Sequence, residues 1–167
     1  GYPVTAHVKA FQFANEHGIH CTCHGGEAKG PESVWETLEH FHPTRIGHGV
    51  RSAEDQQLLD HLVKKDIHLE VCPTSNIQTN IFPAIEEHAA DKIYRHGVSM
   101  SINTDARTVT PVTLSGEYNK LQDTFHWTNE HFLRCNLEGI RHSFTTEAVK
   151  QKIAAQKTKS FATFGMT

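Results

Sequence analysis

Two hydrophobic periods alternate along the chain. Val4, Val8 and Phe11 repeat at helical spacing behind Pro3 and Thr5, and Gly18 supplies the expected stop. Residues 19–24 then switch to period two, with His20, Thr22 and His24 on one face and Ile19, Cys21 and Cys23 on the other. A second helix is predicted from Gly30-Pro31 to Pro43, its stripe made by Val34, Trp35, Leu38 and Phe41, and residues 45–48 form a very short strand. Ser52 with Asp55 reads as a capping box for a third helix on Leu58, Leu59, Leu62 and Val63, followed by a strand over 67–72 that Pro73 closes. A fourth helix after Phe82-Pro83 carries Ile85, Ala89 and Ile93 up to Gly97, and a strand follows over 98–104. Three helices complete the pattern: one on Leu114, Tyr118, Leu121 and Phe125, one on Leu133, Leu137, Ile140 and Phe144, and one over 146–160.

Strands alternating with helices predict an α/β fold, a parallel sheet with right-handed crossovers. No internal repeat, low-complexity segment or linker interrupts it, so residues 1–167 read as a single domain. Four strands cannot close an eight-stranded barrel, which takes about 250 residues. The alternatives are a small open sheet or part of something larger.

Composition narrows the class. A chain of 167 residues with 37% apolar and 21% charged positions can bury a core and stay folded in water. No apolar run approaches the roughly 20 residues that span a bilayer, and no leader-like segment opens the chain, so no membrane partner and a cytoplasmic address are expected. With a net charge of −3 and interspersed signs there is no nucleic-acid footprint, which points to a small-molecule partner. Cys21, Cys23, Cys72 and Cys135 lack the paired spacing of a structural zinc site and read as reduced, mostly buried thiols. The 14 histidines suit a metal protein.

The candidate chemistry falls at strand ends, where parallel α/β folds bind their substrates. His24-Gly25-Gly26-Glu27 places a carboxylate three residues past an imidazole across a glycine turn, able to set a metal ligand and a proton donor around one atom. Gly47-His48-Gly49 and Asn103-Thr104-Asp105 end the second and fourth strands in the same way. Each has a plainer reading: a solvated pair for His24 and Glu27, a turn residue for His48, a cap for Asp105. The alternation sets the sulfurs of Cys21 and Cys23 opposite the imidazoles, and His40 and His42, although spaced HxH, lie at a helix end. Glu70 is either an inward polar residue near the site or an edge residue.

Taken together, His24-Gly25-Gly26-Glu27, Arg45-Ile46-Gly47-His48-Gly49, Glu70-Val71-Cys72-Pro73-Thr74-Ser75-Asn76 and Ser101-Ile102-Asn103-Thr104-Asp105 resemble, in order and spacing, the adenosine deaminase family of metal-dependent hydrolases, over nearly the whole chain. The resemblance implies the C-terminal half of a TIM (β/α)8 barrel, in which one zinc activates water to displace ammonia from the purine six-position. It implies His24 and Asp105 as zinc ligands, Glu27 as the acid that protonates the neighbouring ring nitrogen, and His48 as the group that orients the attacking water or helps stabilise its developing charge. Gly26 and Ser75 would contact the substrate, a purine nucleoside such as adenosine or deoxyadenosine.

Two departures from the family pattern carry consequences. The position after Asp105, usually a second Asp that binds the purine, is Ala106, followed by Arg107. The first barrel strand with its HxH zinc pair has no counterpart in these residues, so the 167-residue chain alone is expected to bind zinc weakly and to be inactive. Uncovered sheet edges lead to an expectation of self-association or pairing with an N-terminal half. The alternatives are an adenine or other purine aminohydrolase, a non-catalytic α/β module that holds a small ligand, and a purely structural half-barrel.

Overall fold

A computed structural model describes residues 4–164, with side chains to residue 161; Pro3 lies outside that range. The residues cluster into two compact units, one running up to Val71 and including Ala89–Ser99, the other comprising Cys72–His88 and the chain from Met100 on.

The first unit opens with a 3-10 turn at Val4–His7 and helix α1 at Val8–Glu16, and Gly18 takes the left-handed conformation expected of the stop. Three parallel strands follow: β1 (Thr22–Gly25), β2 (Arg45–His48) and β3 (His68–Val71). Thr22 lies opposite Arg45 and His24 opposite Gly47, while Gly47 in turn faces Glu70. Strand β1 starts three residues later than the alternation predicts, but keeps its faces: Cys23 is buried, His24 exposed. Helix α2 (Pro31–Phe41) begins with proline in its first turn, where the missing N–H is harmless.

Helix α3 (Gln56–Lys65) corrects the predicted capping box. Residues Val50–Glu54 form a 3-10 turn, and Asp55 alone caps the helix, accepting the N–H groups of Gln57 and Leu58 while its other oxygen receives the Trp35 indole N–H. The core of this unit is Val34, Ile46, Leu58, Leu59, Leu62 and Leu69, all fully buried. Residues 98–99 extend the pairing, since the Leu69 N–H donates to the Ser99 carbonyl.

The second unit contains a helix that the pattern hides. Pro73, expected only to close a strand, opens the short helix α4 (Pro73–Gln78). The predicted fourth helix is split: Ile85–Glu87 is a 3-10 turn of the second unit, and α5 (Ala90–His96) belongs to the first. Strand β4 is only Met100–Ile102. Helices α6 (Leu114–Phe125), α7 (Asn129–Arg141) and α8 (Glu147–Phe164) follow the predicted stripes, except that Phe144 falls past the end of α7. Gly139 of α7 sits against Ser101 of β4, where a Cβ would come within 3.2 Å of the serine side chain. Tyr118 stacks on Phe132 at 4.3 Å, joining α6 to α7.

Candidate active site

Strand ends β1 and β2 of the first unit bring three of the predicted residues together. After β1 the chain turns at Gly26, whose φ is +63° and whose missing side chain leaves room for Val34; a Cβ there would lie 2.6 Å from Val34 Cγ2. The Gly26 N–H donates to Ser33 Oγ, and the carbonyls of Gly25 and Gly26 accept from Gly49 and Arg51. These bonds tie the loop after β1 to the loop after β2. Glu27 and His48 thereby meet, with Oε2 3.6 Å from Nε2, the histidine buried and the carboxylate partly exposed.

His48 holds φ +61°, a left-handed conformation that costs a non-glycine residue about 1 kcal/mol or more. The imidazole of His24 lies 5.1 Å from that of His48, centroid to centroid, and rests over Gly47. Among the described residues none hydrogen-bonds to the His24 ring, which is exposed at the strand end. An imidazole left open in this way is available to a ligand.

A second cluster lies within the other unit. Asp105 also holds a left-handed conformation, φ +59°, and its carboxylate is steadied at both oxygens: Ser75 Oγ–H donates to Oδ2 at 2.6 Å and the Ala106 N–H to Oδ1 at 2.7 Å. Hydrogen bonds of this kind orient a metal-binding carboxylate before the ion arrives. Ser75 is buried on α4, and Ala106 is exposed.

The donor types fit a zinc ion. An imidazole with no hydrogen bond among the described residues and an oriented carboxylate belong to the nitrogen and oxygen set that zinc takes in catalytic sites, although two residues are fewer than the three such sites draw from protein. His40 and His42 precede β2 and so lie at the opposite end of that strand from His48. None of the four cysteines forms a disulfide, and Cys23, Cys72 and Cys135 are buried.

The sequence reading left one group open, Glu70, and missed another, Glu117. Glu70 pairs with Arg45 and accepts the Thr22 hydroxyl at 2.9 Å, which makes it an inward polar residue on the face that carries His24. Glu117 of α6 is fully buried and accepts the Thr74 N–H with both oxygens at 3.2 Å. The available signal for Glu117 was its place on the apolar stripe between Leu114 and Leu121, where a carboxylate is out of pattern.

The comparisons with known proteins agree with one another. A family model described as adenosine deaminase matches residues 2–159. The adenosine deaminase of Salmonella gallinarum is 35% identical over 159 residues, covering 93% of this chain and 48% of that protein, so the chain spans about half the length of the curated relatives it matches. Among solved structures, adenine deaminase from Arthrobacter aurescens superposes with a TM-score of 0.91 over 97% of this chain and 50% of its own, at 24% identity. An amidohydrolase from Burkholderia ambifaria with bound zinc gives 0.87 over 98% and 46%, at 22% identity. These two likenesses show the fold, which is the C-terminal half of a TIM barrel. By sequence, the chain belongs to the adenosine deaminase family.

Proposed function

We propose that this chain is the C-terminal half of a zinc-dependent purine nucleoside aminohydrolase that converts adenosine or deoxyadenosine to the inosine product and ammonia. The observation that carries the reading is the Glu27–His48 pair beside the open His24 imidazole, since a module that only held a ligand would have no need of a carboxylic acid there. His24 and Asp105 would hold the metal, together with ligands from the other half of the barrel. When bound, zinc supplies water with a pKa lowered toward ~7, a nucleophile available at neutral pH.

The remaining steps belong to the chain's own residues. Glu27, partly exposed on its glycine turn, delivers a proton to the ring nitrogen beside the six-position as aromaticity is lost. His48, fixed by its buried left-handed turn, orients the attacking water or helps stabilise the charge that develops on it, and the amino group departs from the six-position as ammonia. Gly26 offers backbone at close range to the purine, and Ser75 holds Asp105 in orientation. A cytoplasmic setting and a single barrel domain shared with the absent half complete the proposal.

Ala106 favours a second reading among purine aminohydrolases. With no carboxylate after Asp105 the base must be recognised otherwise, and adenine or another purine is then an admissible substrate. The test is to produce the chain with and without the N-terminal half of an adenosine deaminase relative, and to follow loss of adenosine and adenine absorbance against zinc content. Activity is expected only with both halves present, and Glu27→Gln should lower it about 100-fold or more. Turnover by the purified 167-residue chain alone would refute the half-enzyme reading. A zinc-loaded complex of both halves that deaminates neither substrate would refute the deaminase reading.

A further inference from the structure

Glu117 presents an oddity of the second unit: a carboxylate with no exposed surface, on a helix otherwise packed through Leu121 and Tyr118. Both its oxygens accept one N–H, that of Thr74, at 3.2 Å. Thr74 is the second residue of α4, and its N–H is one of those a helix start leaves without a partner. The same residue is gripped from the side by Lys120, whose ammonium donates to the Thr74 hydroxyl. The next residue along is Ser75, whose hydroxyl donates to Asp105 Oδ2.

We propose that Glu117 is a positioning residue: by holding the first turn of α4 through the Thr74 N–H, it sets the Ser75 hydroxyl on Asp105 and so fixes the direction in which that carboxylate presents its oxygens. The importance of that direction rests on the reading of Asp105 as a metal ligand. Burial pushes the Glu117 carboxyl up, against the pull of Thr74 and Lys120. The carboxylate is retained where it grips one backbone donor with two oxygens.

The test uses the 167-residue chain with 13C-labelled aspartate, at pH 7, reading the Asp105 carboxyl resonance and the hydrogen exchange of the Thr74 amide. Glu117→Ala should speed Thr74 exchange about tenfold or more and move the Asp105 resonance in the direction that Ser75→Ala moves it. Glu117→Gln, which keeps one acceptor, should return both toward the parent values. Should Glu117→Ala not fold, Glu117→Asp, whose carboxylate is drawn back by one methylene, should move the Asp105 resonance part of the way. Asn136→Ala, which removes the donor to the Tyr118 hydroxyl and loosens α6 against α7, should leave it in place.

An Asp105 resonance unmoved in the Glu117 variants, or moved equally by Asn136→Ala, would overturn the proposal. Zinc titration of the parent chain in complex with the N-terminal half of an adenosine deaminase relative, which supplies the remaining ligands, separates the two readings. If Asp105 ignores zinc while still responding to Glu117 and Ser75, the metal assignment falls and the positioning chain stands.

Discussion

Lowering the pH from 7 to 4 should destabilise the protein through His88, and the size of the effect can be worked out. His88 is buried beside Phe82 at 4.7 Å, its Nε2 3.2 Å from Asn76 Oδ1, and burial pushes its pKa down from 6.5 to about 4. A histidine whose folded value is depressed excludes a proton that the unfolded chain binds, so its contribution is fully present above pH 6.5 and is lost as the pH falls toward 4. That interval, at ~1.4 kcal/mol per pH unit, comes to about 3 kcal/mol. Set against a typical total of about 5–15 kcal/mol, the loss is large.

The assay is urea unfolding of the parent and of His88→Gln between pH 4 and pH 7. Glutamine can still meet Asn76 but does not titrate, so the stability difference between the two should shift by about 3 kcal/mol in favour of the variant as the pH falls. Parallel curves would refute the reasoning, because they would mean that water or a rearranged loop reaches the protonated ring.

Two further outcomes follow from burial and shape. Burial pushes the thiols of Cys23 and Cys135 up to about 12 and Cys72 is also buried, so a thiol reagent at pH 8 should modify only Cys21 in the native chain and all four after denaturation. The open sheet edges of half a barrel, with Phe13, Ile19 and Val109 exposed, should make the chain associate with rising concentration in sedimentation experiments. A monomer at every concentration would count against that.

What the sequence disclosed was set by how local the signal is. The stripes of α2, α3 and α6 and the alternation before His24 are functions of neighbouring residues alone, and they appear where expected except that Val63 and Leu114 are exposed and β1 begins three residues late. Helix α4 was hidden because six residues make less than two turns, too few for a period, and because Pro73 signals a strand end as well as a helix start. The cap of α3 was misassigned since Ser52 and Asp55 both fit a cap; the 3-10 turn at Val50–Glu54, which the loop after His48 dictates, chose between them. At the site, residue types were legible and partners were not. The Glu27–His48 approach depends on Gly25 and Gly26 bonding across to Gly49 and Arg51, about two dozen residues further along the chain.

The two glycines around His48 look alike in the sequence yet should fail differently when replaced. A Cβ on Gly49 would lie 2.5 Å from Leu69 Cδ2 and require an alanine at φ +67°, so Gly49→Ala should cost about 2–4 kcal/mol of stability. Gly47 has no such backbone demand. The three atoms nearest to a Cβ there all belong to the His24 ring, with Cε1 and Nδ1 at 3.2 Å, a contact relieved if the ring tips by a few tenths of an ångström. Gly47→Ala should therefore unfold at nearly the parent urea concentration while zinc affinity, followed through the His24 ring resonances, falls about tenfold, the usual size of a disturbance to a ligand's support. If the two variants lose stability alike and Gly47→Ala binds zinc as the parent does, then the flat floor beneath His24 serves packing, and the case for that imidazole as a ligand loses its structural support.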